Sequence, residues 1–272
     1  MRATIAANQE VRPSYFKMGL EGPGLCVGFE PGQFFMVRIG EGPDPLLRLP
    51  FSIHWMKEGS LEILYRIVGR GTEALASFKP GQEIDLLGPL GKGFLIPFDL
   101  GSALLVAGGM GIAPLRGLAG RLYALLEGFG TQAHRADLEA KVTAIIGGKG
   151  SGDILCTEEL QALGAEVHIS TEDGSLGEKG LATDLLGELL SESRASSPLP
   201  SILYACGPRP MLAKVARIAH QAKIPCQVSL EEYMACGIGA CMGCAVKTKT
   251  QADSYQLVCK DGPVFDAELI QW

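Results

Sequence analysis

Four cysteines near the C-terminus constrain this chain more than any other feature. Cys236, Cys241 and Cys244 follow the pattern C-x4-C-x2-C, and Cys259 comes after fourteen further residues. The segment carrying them, from Glu231 on, is about forty residues long, too short for much core of its own, so a metal centre would help to hold it together. The spacing of the first three is that of plant-type [2Fe–2S] centres. Two irons need four thiolates, and a tight loop can supply three of them from one side. Gly237, Gly239, Gly243, Ala235, Ala240 and Ala245 leave room for backbone amides to reach the sulfur atoms. Four-cysteine zinc sites usually use two short C-x2-C pairs, and only Cys241 and Cys244 form one here. The iron–sulfur reading therefore stands ahead of zinc, which stays open as a rival. Cys26, Cys156 and Cys226 read as small core residues.

The rest of the chain has the means to build larger units. Its 272 residues leave room for two or three domains, and 47% hydrophobic against 20% charged residues suits a globular core. A formal net charge of −6 argues against an electrostatic grip on nucleic acid. No apolar run approaches the roughly 18 residues of a membrane span. The first ten residues lack a long apolar segment and a cleavage pattern, so no secretory signal is expected. That predicts the reducing cytoplasm, where clustered cysteines point to metal or redox chemistry rather than disulfides.

The rhythm of the chain changes near Gly101. Before it, short β-prone runs (Phe34 to Ile39, Phe51 to Trp55, Leu61 to Val68, Glu83 to Leu87) are punctuated by Gly and Pro, which predicts a small antiparallel barrel. After it, strands at Ser102 to Ala107, Lys141 to Ile146, Glu166 to Ser170, Ile202 to Cys206 and Cys226 to Leu230 alternate with helices. These are the Leu115 to Leu126 run, Thr157 (as N-cap) to Leu163, Leu181 to Leu190 and Met211 to Ala222. Repeated strand–helix units predict a parallel sheet with helices on both faces. Ser191 to Ser201 reads as a loop. The fold class expected is multidomain β plus α/β: a barrel over residues 1–100, an α/β nucleotide-binding domain over 101–227 and a small cysteine-bearing domain over 228–272.

Within this frame two regions invite phosphates. Gly108, Gly109, Gly111 and Pro114 belong to a glycine-rich turn between a strand and a helix, where amides and the helix N-terminus favour a pyrophosphate. The full G-x-G-x-x-G fingerprint is absent, so the motif alone is also consistent with an ordinary tight turn. Cys206, Gly207 and Pro208 end another strand, and ligands of open α/β sheets bind at the carboxyl ends of strands. In the barrel, Arg48, Leu49, Pro50, Phe51 and Ser52 bring a cation and a hydroxyl to a strand start, suited to a phosphate and a flavin edge. Gly71 and Thr72 open a short helical stretch, a second candidate for pyrophosphate. Taken in isolation, both barrel features read sooner as turns and surface charge.

Taken together, these segments resemble the ferredoxin–NADP reductase superfamily with a C-terminal [2Fe–2S] unit, and within it the electron-transfer subunits of dihydroorotate dehydrogenase B. The resemblance covers nearly the whole chain. It rests on Pro31 to Phe34, Gly88 to Phe94, Gly108 to Pro114, Glu172 to Gly177, Cys206 to Pro208, Glu231 to Cys244 and Val258 to Phe265. It implies FAD contacts at Leu49 to Ser52, at Leu64, Tyr65 and Arg66, and at Gly71 and Thr72. The family usually has Arg directly before the Pro, a position held here by Leu49, with Arg48 one residue earlier. It further implies NAD at the barrel–sheet crevice, no general base in this chain, and an FMN-containing dihydroorotate dehydrogenase partner in a heterotetramer of two plus two. Lys149 could contact a 2′-phosphate, but no clear arginine pair does, so NAD is preferred over NADP. A related flavin/[2Fe–2S] subunit of an NADH-dependent ferredoxin–NADP oxidoreductase or sulfide dehydrogenase is the nearest rival. Its first cluster ligand tends to be acidic, whereas Cys236 stands here; its Arg-x-Pro pattern, however, resembles Arg48-Leu49-Pro50. A zinc-stabilised, non-catalytic binding module is the alternative of a different class.

Overall fold

The structure is a computed structural model and describes residues 1–25, 28–40, 42, 45–98, 100–128, 141–196, 199–249, 251 and 254–272. Cys26 lies outside them.

The N-terminal strands are β1 (Arg2–Arg12), β2 (Tyr15–Glu21), β3 (Phe34–Arg38), β4 (Leu49–Lys57), β5 (Ser60–Arg66) and β6 (Glu83–Leu90), with helix α1 (Arg70–Ala76) between the last two. They close into an antiparallel barrel in the order β1-β2-β5-β4-β3-β6. Alternate residues such as Ile5, Met18, Leu20, Phe35, Val37, Ile53, Ile63 and Leu86 point inward and are buried, as the strand period of two requires. The β1–β2 hairpin is an addition to the sequence-based expectation. Only Ala3 and Ile5 of β1 are fully buried, and the run Asn8-Gln9-Glu10 hides its strand character behind polar residues.

The next strands are β7 (Ala103–Gly108), β8 (Val142–Gly148), β9 (Glu166–Thr171), β10 (Glu178–Lys179), β11 (Ile202–Cys206) and β12 (Cys226–Ser229). The last three are β13 (Ala245–Thr248), β14 (Ser254–Leu257) and β15 (Val264–Asp266). Seven of these form one sheet in the order β10-β9-β8-β7-β11-β12-β15. All its pairs are parallel except β12 with β15, so the C-terminal segment returns an antiparallel edge strand to the sheet. Helices α2 (Ile112–Gly128) and α3 (Thr157–Ala162) cover one face, and α4 (Ala182–Ser196) and α5 (Arg209–Ala222) the other. Strand β7 shows why. Leu104 and Val106 pack toward α4 and α5, while Ala103, Leu105 and Ala107 pack toward α2. Burial on both faces gives the near-continuous apolar run of a parallel strand.

Two expectations shift. Helix α4 runs on through Ser196 where a loop was expected from Ser191; the Ser191 hydroxyl bonds back to the Gly187 carbonyl at 2.8 Å instead of breaking the helix. Helix α3 is capped by Cys156 and not Thr157, because the Cys156 carbonyl accepts the first helical amide, from Leu160, at 3.0 Å.

Candidate functional site

The strand order reverses between β7 and β11, and ligands of open α/β sheets bind at such switch points. The two motifs singled out in the sequence meet there. A Cβ on Gly111 would come 2.0 Å from the Cys206 carbonyl oxygen, and one on Gly108 would strike Met211 and Pro208. Gly109 has φ +53, and the chain passes through a 3-10 turn (Gly109–Gly111) straight into α2. At Gly111 the loop is thus pressed against the end of β11 with no side chain between, and the Ile112 amide at the start of α2 bonds back to the Gly109 carbonyl. The Cys206 thiol is buried, which pushes its pKa well above the ordinary value.

The opposing wall comes from the barrel. In β4 the side chains of Leu49, Phe51 and Ile53 pack on the barrel core, leaving Pro50, Ser52 and His54 on the outer face. In β5, Leu64 packs outward with Ile112 and Ala113 of the nucleotide loop, and Arg66 stacks over Tyr15 at 5.0 Å. The remaining expected flavin residues are occupied inside the protein. Tyr65 is buried in the barrel with its hydroxyl on Asn8 at 2.8 Å. The Thr72 hydroxyl accepts the amides of Val68 and Gly69 and donates to the Gly69 carbonyl. Arg48 donates to the Asp85 carbonyl and pairs with its carboxylate at 2.5 Å. Leu49 packs on the first turn of α1, where a Cβ on Gly71 would meet it at 2.8 Å.

The cysteine loop lies against the barrel. A Cβ on Gly237 would strike Met36 of β3 at 2.5 Å, and Leu90 of β6 is next to it. Gly91 and Lys92, just past β6, abut the Gly262 carbonyl, and the Lys92 amide donates to it at 2.6 Å. The four sulfurs fall into two close pairs, Cys236 with Cys241 and Cys244 with Cys259. Backbone amides reach all four: Cys241 to Cys236 and Cys259 to Cys244 at 3.4 Å each, Gly243 to Cys241 at 3.5 Å, and Gly239 to Cys259. The amides of Ile238 and Cys241 hold the Cys236 thiol down at about 6, while burial and Cys244 push Cys259 up to about 12. A single zinc with Zn–S of about 2.3 Å sets its sulfurs about 3.8 Å apart. Here no three of the four sulfurs lie within 4.8 Å of one another. Two pairs served by amides fit two bridged irons. The inner pair is buried and the outer pair partly open, Cys241 being exposed.

Sequence reasoning missed two groups. Glu231, two residues past β12, reaches solvent, yet enough protein crowds its carboxyl to raise its pKa, and its charge acts on Cys206. His54 is wholly buried beside Glu159. Glu231 opens the Glu231 to Cys244 segment without belonging to its cysteine pattern, His54 stands in no motif, and only the fold brings the two near the crevice.

Comparison with known proteins places this geometry. Residues 231–271 match the family described as the iron–sulfur cluster binding domain of dihydroorotate dehydrogenase B, and residues 105–217 the oxidoreductase NAD-binding domain. Dihydroorotate dehydrogenase B (NAD(+)), electron transfer subunit, of Desulforamulus reducens is 37% identical over 273 residues, covering 99% of this chain and 97% of the relative. The protein of the same description from Geobacillus kaustophilus is 38% identical, covering 98% and 96%. The solved NADH-dependent reduced ferredoxin-NADP oxidoreductase superposes with a TM-score of 0.81 at 28% identity, covering 99% of this chain and 90% of that one. A ferredoxin NADP+ reductase from Neisseria gonorrhoeae with bound FAD and NADP shares the fold at a TM-score of 0.64, 18% identity and coverage of 82% and 91%.

Proposed function

The chain belongs to the family of dihydroorotate dehydrogenase B electron-transfer subunits, and from that premise we propose that it relays electrons between NAD and a catalytic partner chain. When bound, FAD supplies the exchange between two-electron and one-electron steps and the [2Fe–2S] centre carries single electrons, so the protein's task is placement, order and potential. Cys236, Cys241, Cys244 and Cys259 hold the irons. Gly108, Gly109 and Gly111 present amides to the NAD pyrophosphate, Pro114, which has no N–H to offer, sets the first turn of α2 behind them, and Cys206, Gly207 and Pro208 close the far side. Leu49 to Ser52, Leu64 and Arg66 would hold FAD, with Ser52 offering its hydroxyl, and Tyr65, Gly71 and Thr72 would serve it through backbone. Arg48, committed to Asp85, is left out of the phosphate contact. Residues 1–100, 101–227 and 228–272 act as the flavin, nucleotide and cluster units.

The partner is an FMN-containing dihydroorotate dehydrogenase chain in a two-plus-two heterotetramer, in the cytoplasm; among the described residues no helix is long and apolar enough to cross a membrane. The partner oxidises dihydroorotate to orotate, and electrons pass through this chain to NAD. It docks over the open cysteine pair, where Tyr233, Ile238 and Met242 are exposed. Lys149 stands among Asp153 and Asp173, whose charge disfavours a 2′-phosphate and favours NAD.

The observation that carries this reading is the cysteine loop seated on Met36 and Leu90 of the barrel with amides on its sulfurs. The test is anaerobic co-purification with the partner chain, quantifying iron, acid-labile sulfide and flavin, then assaying dihydroorotate-dependent NAD reduction. Two irons, two sulfides and one FAD per chain with NAD reduction are expected. Material without labile sulfide would sink the proposal. The second reading, an NADH-dependent ferredoxin–NADP oxidoreductase subunit, is favoured by the structural likeness and by the Arg48-Leu49-Pro50 pattern, and it predicts NADP reduction with ferredoxin and none with dihydroorotate.

A further inference from the structure

The crevice has two walls, and something must fix the distance between them. The barrel and the sheet meet most closely where α2 lies across β4. A Cβ on Gly117 would come 3.1 Å from the His54 carbonyl oxygen, and one on Gly120 would strike Trp55 at 2.3 Å. At this contact His54 is completely buried. Its Nδ1 lies 3.2 Å from the Ala113 carbonyl oxygen, which can only accept, so Nδ1 donates. Its Nε2 stands 3.4 Å from Oε2 of Glu159 on α3. The same carboxylate binds Arg116 of α2 at 3.0 Å through Oε2 and Lys17 of β2 through Oε1. Arg116 in turn stacks over Trp55 at 4.1 Å.

Two features make His54 more than filler. It shares the outer face of β4 with Ser52, two residues before it and proposed above to touch the flavin. Its acceptor, Ala113, lies in the first turn of α2, at the end of the Gly108 to Pro114 motif. One imidazole therefore joins the flavin-bearing strand directly to the nucleotide loop. Buried polar groups add little net stability compared with apolar side chains of the same size, and their best-attested use is to set register. The His54, Cys156 and Glu159 donor atoms do lie within 4.8 Å of one another. Both oxygens of Glu159 are already held by Lys17 and Arg116, however, whose charges oppose a metal ion.

We propose that His54 is a positioning residue that fixes the register between the flavin strand and the nicotinamide loop through its donor bond to the Ala113 carbonyl. This rests on the functional reading above. The test compares His54→Asn, whose amide can replace the Nδ1 donor, with His54→Gln, which reaches only toward Glu159, and His54→Leu, which is apolar. All are prepared as the complex with the partner chain. Three quantities are measured: flavin bleaching by NADH in a single turnover, NADH affinity, and hydrogen exchange of the Leu115 to Gly117 amides, which needs no turnover. For His54→Leu and His54→Gln we expect bleaching slowed at least tenfold, NADH affinity within threefold and exchange accelerated at least tenfold. His54→Asn should stay within threefold of the parent in all three. Bleaching and exchange at parental values in His54→Leu would overturn the proposal. So would an equal loss in His54→Asn and His54→Leu, or loss of flavin and fold in every variant, since each marks a purely structural histidine. A parent complex that lacks flavin, or whose flavin NADH does not bleach, overturns the functional reading and the proposal with it. Failure of His54 alone is seen only against a parent that passes.

Discussion

The two walls of the crevice are made differently. On the nucleotide side the shape is set by backbone lying against backbone, Gly111 against the Cys206 carbonyl and Gly108 against Gly207 and Pro208. On the flavin side three of the polar side chains near the site are already committed within the barrel: Arg48 to Asp85, Tyr65 to Asn8, Thr72 to the start of α1. A backbone wall has no slack at its contact points. A wall supported by side chains can lose one and relax. The sharpest way to break this comparison is Gly111→Ala. Its new methyl would sit 2.0 Å from a backbone oxygen, with no flexible side chain to move aside. We expect a loss of about 4 kcal/mol or more, at the top of the range for single substitutions, and at least a hundredfold weaker NADH binding. Thermal unfolding and NADH titration check it; parental values in both would erase the distinction.

The junction between the walls comes next. His54 and Lys17 hold the Glu159 carboxyl well below the usual carboxylate range. A lowered folded pKa contributes stability that is present above the unfolded value, about 4.3, and is lost as pH falls below it toward the folded value. Glu159→Gln should therefore cost about 2 kcal/mol at pH 7, discounted from a fully buried pair because the carboxylate is partly exposed. The gap to the parent should narrow steadily from about pH 4.5 downward. Melting curves at pH 7 and pH 3.5 decide; a gap independent of pH would mean packing, and not charge, joins the walls.

This contrast also marks what could be read in advance. Strands β7, β8 and β11 fall within a residue or two of expectation because burial on both faces writes them as apolar runs. The cysteine set is written as spacing, and the Gly108 loop as composition. The flavin wall is not legible this way. Which way a β4 side chain faces depends on a bulge between Ile53 and Trp55. The partners that claim Arg48 and Tyr65 lie 37 and 57 residues away in the chain. His54 escaped notice for the same reason: an isolated histidine in a strand carries no pattern, and its acceptor lies 59 residues on.

A smaller effect is expected from Thr72→Ala. The hydroxyl serves three backbone groups at the start of α1, so its loss should cost about 1–2 kcal/mol, as for other helix-start caps. FAD affinity should fall less than tenfold if only the backbone of this turn faces the flavin. Calorimetry and FAD titration of the apoprotein separate the two quantities. A hundredfold fall in affinity at unchanged stability would assign the hydroxyl to the cofactor.

The smallest effect is expected at Arg48. It directly precedes Leu49, the first residue of β4, and adjacent strand residues face opposite ways. The guanidinium has followed that geometry to Asp85 of β6, with side-chain exposures of 26% and 40% for the two partners. A pair so open to water is worth at most about 1 kcal/mol. Arg48→Leu should therefore lower the melting temperature by only about 2–4 °C and leave FAD affinity within threefold. Asp85→Asn should match it, because the two residues act as one unit. A loss of FAD affinity of tenfold or more in Arg48→Leu, without the same loss in Asp85→Asn, would show that the arginine leaves Asp85 for the flavin phosphate. The flavin wall would then also depend on a single fixed contact.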